Sequence, residues 1–124
     1  MKASLKNYRQ SPRKVNLVAS LIKGKRVADA FVLLDNLPKR ASLPIKNLLA
    51  SAISNAKQAG IEDKNLVISN ITVNNGIVMK RSMPRARGSA SRINRRTSHV
   101  LLTLSEKPAD NKARQVKKIN KSKK

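Results

Sequence analysis

The chain has 124 residues, with 28 Lys and Arg against 6 Asp and Glu and a formal net charge of +22. That length supports one domain with little room for a second, and that charge excludes an ordinary metabolic enzyme as the default, because such a chain repels itself unless a polyanion neutralises it. There is no cysteine, hence no disulfide scaffold and no cysteine zinc site. No secretory h-region is present, and no apolar run approaches the ~20 residues that span a bilayer, so a cytoplasmic protein is expected.

Met1 to Gln10 is short, polar and basic and admits a strand, with Ala3, Leu5 and Tyr8 as its larger apolar marks. Ser11-Pro12 is a helix start, serine as N-cap and proline at the first helical position. Val15, Val18, Ala19 and Ile22 follow at helical spacing, Leu17 and Leu21 widen the stripe, and Gly24 closes the helix. Arg13 and Lys14 in its first turn oppose the helix dipole, which points to an external anion as their reason.

A second helix is predicted from about Val27 to Leu37, with Val27, Phe31 and Leu34 on one face and Pro38 as its stop. A third starts near Ala41 and ends before Gly60, with Pro44 tolerated in the first turn and Ile45, Leu48, Leu49, Ala52, Ile53 and Ala56 as its stripe. Phe31 is read as buried, and each stripe is consumed by one core, leaving no seam for a homo-oligomer.

Asn65 to Val73 reads as a strand and Asn74-Asn75-Gly76 as a hairpin turn, so that the strand from Ile77 pairs back on it and a return arm through Leu104 adds a third. Val100, Leu102 and Leu104 alternate with His99, Leu101 and Thr103, as a strand with one face on a core should. The expected fold class is α+β, with three helices packed on a small antiparallel β-sheet from which a long β-hairpin, about 77–104, projects.

The stretch from Lys80 to Arg96 breaks the apolar alternation. It carries Lys80, Arg81, Arg85, Arg87, Arg92, Arg95 and Arg96, and no acid occurs from Lys64 to Ser105. Arg92, Asn94 and Arg96 would point to one face and Ile93, Arg95 and Thr97 to the other, so neither face can be buried against apolar protein. Pro84 cannot donate to a ladder, and Gly88 suits a tip with positive φ. A ribbon of this length would reach roughly 30–40 Å. Being two-stranded, it should become ordered only within a polyanion.

The charge is also partitioned. Residues 1–26 carry eight basic groups and no acid, residues 27–63 are neutral, residues 64–105 carry +8, and residues 106–124 carry +6. The tail after Pro108 has too few apolar residues to fold alone. The expected division is a single α+β nucleic-acid-binding domain over 1–106 and a basic, flexible tail over 107–124.

Catalysis finds no support. The single histidine, His99, lies in a strand returning to the core, where packing or hydrogen bonding is its ordinary role, and the acids are scattered apart from Glu62-Asp63 in a loop. Neither a cofactor nor a metal is expected. Membrane binding is disfavoured because the apolar stripes lie in the neutral part of the chain. Nucleic acid is the natural polyanion, and with Tyr8 and Phe31 the only aromatics, base stacking along a single strand is poorly supported. Arginines on both faces of a thin ribbon suit insertion between phosphate backbones of folded RNA. If all seven hairpin cations met phosphates, affinity would fall by roughly three to four decades between 50 and 200 mM salt. The competing reading is an architectural DNA-binding protein that lays a basic β-arm in a groove, a class that dimerises and wedges an apolar residue or proline between base steps; Pro84 is its one obvious wedge.

The stretch MKRSMPRARGSASRINRRTSHV, Met79 to Val100, closely resembles the bacterial-type large-subunit ribosomal proteins numbered twenty-two. The family pattern has a basic residue, four intervening positions, an arginine, a small residue, any residue and glycine, supplied here by Lys80, Arg85, Ala86 and Gly88. Ser89 leads after nine residues to His99 and the alternating Val100, Leu102 and Leu104. SPRKVNLVASLIKGK, Ser11 to Lys25, and SAISNAKQ in the third helix are also similar, and the likeness covers roughly residues 3–106.

The resemblance implies a structural, non-catalytic constituent of the large ribosomal subunit in the cytoplasm, one that binds large-subunit rRNA, supports assembly and lines the nascent-peptide exit tunnel with its hairpin. By position it assigns rRNA contacts to Lys80, Arg81, Arg85, Arg87, Arg92, Arg95 and Arg96, and body contacts to Arg9, Arg13 and Lys14. The tunnel-lining tip would be Arg85, Ala86, Arg87, Gly88, Ser89 and Ala90. Its partners would be rRNA, neighbouring large-subunit proteins and the nascent peptide. Many family members carry lysine where Arg87 stands and a basic residue where Ser89 stands, so this tip is less charged.

Overall fold

The computed structural model describes residues 1–61 and 66–106. Along the chain, β1 (Lys2–Tyr8) is followed by three helices, α1 (Pro12–Ile22), α2 (Val27–Asn36) and α3 (Ser42–Gln58). Two long strands, β2 (Leu66–Pro84) and β3 (Ala90–Glu106), complete the fold, joined through a short 3-10 turn at Ala86–Gly88. The sheet has three strands in the order β1-β3-β2, and both pairings are antiparallel. The expected α+β architecture, with three helices, a small antiparallel sheet and a long hairpin, is what the chain adopts.

The helices form where the apolar spacing and the punctuation agree. Pro12 stands at the start of α1, but Ser11 caps through its backbone: its carbonyl accepts from the N–H groups of Lys14 (3.0 Å) and Val15 (3.2 Å), while its hydroxyl makes no cap bond. Past the end of α1, Gly24 N–H donates to Ile68 O (2.9 Å) and Ile68 N–H to Lys25 O (3.0 Å), which clasps the helix end to β2. Leu37, held extended before Pro38, ends α2. Gly60 N–H to Lys57 O and Ile61 N–H to Ala56 O close α3 as a Schellman motif.

The core lies between the helices and one sheet face. Val15, Val18, Ala19 and Ile22 of α1 and Ile45, Leu49, Ala52 and Ala56 of α3 are buried there with Ala3, Ile68, Val100, Leu102 and Leu104 of the sheet. Two expectations about this core need correction. Leu17 and Leu21 do not widen the buried stripe of α1 but stand exposed, Leu17 at 70%. The sheet meets α1 along the Val15, Val18, Ala19 and Ile22 stripe, and at 3.6 residues per turn Leu17 and Leu21 fall on the side away from it. Phe31 is only partly buried, packed against the core at its edge, while its neighbour Ala30 is fully buried.

The largest correction concerns Asn74-Asn75-Gly76. The chain does not turn back there, and β2 runs on through these residues to Pro84. Asn75 pairs with Ser98 and Val78 with Arg96, so Gly76 and Ile77 together stand opposite Thr97. That arrangement is a β-bulge, which absorbs an extra residue without breaking the strand. A Cβ on Gly76 would fall on Thr97 Oγ1, and the same hydroxyl donates to Ile77 O at 2.8 Å. Glycine therefore serves close approach rather than reversal. The third strand is instead β1, with Ala3 and Leu5 opposite Leu102 and Val100. The expected start of β2 at Asn65, the Glu62-Asp63 loop and the basic tail 107–124 lie outside the described residues.

Candidate nucleic-acid interface

Beyond the bulge, no third strand and no helix among the described residues lies over β2 and β3. The ladder continues pair by pair from Val78–Arg96 to Pro84–Ala90. Directly opposed residues share a face, so the register sorts the side chains. One face carries Arg95 with Met79, Arg81 with Ile93, and Ser91 with Met83; the other carries Arg96 with Val78, Lys80 with Asn94, and Arg92 with Ser82. Cations thus stand on both faces, as the alternation of residues implied. The eight residues from Ile77 to Pro84 carry the arm about 25 Å past the bulge.

At the tip, Arg85 N–H donates to Ser89 O (2.8 Å), and the Ser89 N–H and hydroxyl both donate to Ala86 O (3.4 and 2.9 Å). Arg87 (φ 57) and Gly88 (φ 71) make the reversal in left-handed conformations. For Gly88 this costs little; for arginine it costs about 1–2 kcal/mol. Arg85 Nε donates to Ser91 Oγ (3.1 Å), which lays that guanidinium back along the arm.

Every one of Lys80, Arg81, Arg85, Arg87, Arg92, Arg95 and Arg96 is exposed, and none has a carboxylate partner among the described residues. Asp35 is engaged elsewhere, with Lys46 Nζ at 2.6 Å in the neutral part of the chain. Arg9 is exposed on the connection from β1 to α1, and Arg13 and Lys14 are exposed on the first turn of α1. Because Tyr8 is registered with Ser98, this connection lies at the root of the hairpin. The fold therefore gathers the candidate body contacts beside the arm, although they lie some seventy residues from it in sequence.

Sequence reasoning passed over the apolar residues interleaved with these cations. Ile77, Val78, Met79 and Met83 are all exposed, Ile77 at 69%. Their signal was present in the strand alternation, but it reads as core unless the absence of any covering element is known. Ala86, Ser89 and Ala90 are likewise exposed at the tip. Among the described residues, no group of three or more His, Cys, Asp or Glu side chains could hold a metal ion, and no helix is long and apolar enough to cross a membrane.

A small α+β body with an acid-free, two-faced cationic ribbon belongs to the class of structural proteins that dock into folded RNA. The family model described as ribosomal protein L22p/L17e matches residues 3–105, and the chain belongs to that family. It is accordingly a structural constituent of the large ribosomal subunit that binds rRNA and works in translation among other ribosomal proteins.

Proposed function

We propose that the hairpin is the chief rRNA-docking element of this protein and lies along the wall of the nascent-peptide exit tunnel. In this reading Lys80, Arg81, Arg92, Arg95 and Arg96 bridge phosphates on either side of the ribbon, and Arg85 to Ala90 present the tip to the nascent peptide. Arg9, Arg13 and Lys14 hold rRNA at the root. Residues 1–106 act as one domain, the basic tail 107–124 adds sequence-independent affinity, and docking supports subunit assembly. No homo-oligomer and no membrane enters this reading.

The observation that carries it is five exposed cations distributed over both faces of the ribbon and two more at its tip, none with a carboxylate partner among the described residues. A groove binder needs charge on one face; a wedge between two backbones needs it on both. The left-handed Arg87 supports the same reading, since strain at a charged tip is kept where an external partner repays it.

The test replaces Lys80–Asn94 with Asn-Gly, a two-residue turn compatible with the Met79–Arg95 pair. Binding to purified large-subunit rRNA and to duplex DNA of equal length is then measured across a salt series. The intact chain should prefer rRNA at high salt, and the shortened chain should lose that preference, with a salt slope shallower by about 3–4. Equal affinity of the intact chain for the two polymers would overturn the reading in favour of bulk electrostatics or a DNA groove.

A further inference from the structure

The helices cover one face of the sheet, and among the described residues nothing covers the other. On the open face the register sets Ser4 of β1 beside Leu101 of β3, and His99 of β3 beside Asn74 of β2, with Lys2 and Lys6 along the outer strand. Between them lies a shallow depression of about 210 Å³, lined in part by Ser4, Lys6, Asn74, His99 and Leu101. Leu101 is 41% exposed and is the only exposed large apolar residue on the three-stranded part of this face among the described residues.

The depression has a built donor. Tyr8 pairs with Ser98 and Leu5 with Val100, so Lys6 and Asn7 both stand opposite His99 in a second bulge. There Asn7 adopts φ 55, and its N–H donates to His99 Nδ1 at 3.0 Å. An imidazole whose Nδ1 accepts carries its proton on Nε2 when neutral, so the ring offers Nε2–H as a donor. The open face therefore combines an apolar floor, an oriented donor, an amide and two lysines, with no acid among the described residues.

We propose that this open face is a second rRNA contact, distinct from the hairpin contacts, and that it seats a single unpaired nucleotide over Leu101. The base edge accepts from His99 Nε2–H and meets the Asn74 amide, and the flanking phosphates lie on Lys2 and Lys6. A single base suits the dimensions: one Leu makes a floor for one π-face with the imidazole at its edge, whereas a run of bases would need several aromatics. Protein is the weaker occupant, because one exposed leucine is too little for the apolar centre of an interface. The face is also continuous with the ribbon, since Arg95 and Arg81 lie farther along the same side of the β2–β3 ladder. A strand leaving the depression would meet those guanidinium groups next.

The inference rests on the rRNA-binding reading, and the test separates the two. Because the chain has no cysteine, Ser4→Cys and Ser89→Cys each allow one tethered iron chelate, on the open face and at the tip. Both full-length variants are bound to purified large-subunit rRNA, and the Ser4 probe should cleave a confined set of nucleotides different from the tip set. Within that set, one unpaired base should be shielded from base-modifying reagents by the unaltered chain. Leu101→Ala should expose it, and Lys2→Ala with Lys6→Ala should weaken binding about tenfold. All these positions but His99 are exposed, so circular dichroism should show the fold unchanged. Cleavage from the tip without cleavage from Ser4 overturns the proposal and leaves the hairpin reading intact, as does a base that stays shielded in Leu101→Ala. A Ser4 probe that cleaves nothing in rRNA but cleaves a neighbouring protein in the assembled subunit assigns the face to protein and also overturns it. Silence from both probes defeats the rRNA-docking reading itself.

Discussion

Gly76 has no Cβ because Thr97 occupies the place where one would go. A methyl there would overlap Thr97 Oγ1 and press on its carbonyl, with C and O at 3.1 and 3.2 Å. Gly76→Ala should therefore destabilise the chain by about 1–3 kcal/mol, read from urea unfolding. Combined with Thr97→Ala, which removes the hydroxyl, the loss should be smaller than the sum of the two single losses; strict additivity would show that the bulge yields elsewhere. Tyr8 gives a pH-dependent case. Burial pushes its phenol above the ordinary value of 10.0, and the Arg40 guanidinium partly opposes the shift. The folded state thus holds this proton more tightly than the unfolded one. Its contribution is complete below about pH 10 and is lost as pH rises through the raised value. The difference in stability between the chain and Tyr8→Phe, followed from pH 8 to 11, should shrink as the pH rises. Leu17 marks the opposite extreme: Leu17→Lys should change stability by less than about 0.5 kcal/mol, whereas Ile22→Ala, at a similar aliphatic residue of the same helix that is fully buried, should cost about 2–5 kcal/mol.

At the scale of elements, the sheet divides at Thr97. Below it, three strands and a helical layer support every backbone hydrogen bond; above it, two strands support only each other. A two-stranded ribbon is marginal in water, so amides of Arg85–Ser91 should exchange orders of magnitude faster than those of α3 in the free protein. Hydrogen exchange with fragment-level resolution reads this directly, and slow exchange at the tip would mean that the arm is ordered without RNA. The division also explains what could be read in advance. The helices were legible because stripe and punctuation coincide at Pro12, Gly24, Pro38 and Gly60. The final strand was legible because Val100, Leu102 and Leu104 face one side of a layer. The bulge was not, because Asn74-Asn75-Gly76 has the composition of a turn, and only the distant Thr97 reveals that its glycine answers a contact across the ladder. β1 was also obscure, since Ala3 and Leu5 are too few to declare a strand until β3 lies beside them. For the interface, the charge and its two-sidedness were legible residue by residue. The open sheet face was not, because Lys6, His99 and Asn74 converge only in the folded register.

For the whole molecule, the charge of +22 acts in two directions. In the free protein it is self-repulsion, and added salt screens it. In the complex it is the source of affinity, and added salt competes with it. The melting temperature of the free chain should therefore rise between 20 and 500 mM salt while its rRNA affinity falls, a crossed dependence that calorimetry and a filter-binding series would check together.

The sheet order β1-β3-β2 has a temporal consequence. The middle strand is the one encoded last, and both neighbours pair with it alone. As the polypeptide emerges from the ribosome that makes it, β1 waits for almost the whole chain before its partner exists; the bonds between Met1 and Leu104, one in each direction, span 103 positions. The helices can form early, but the layer they cover cannot, and the first half of the hairpin has no second half to lie against. Completion of the sheet is thus held until β3 has been made. A partly made copy has cationic segments but no ribbon to insert, and so cannot occupy the place of a finished one.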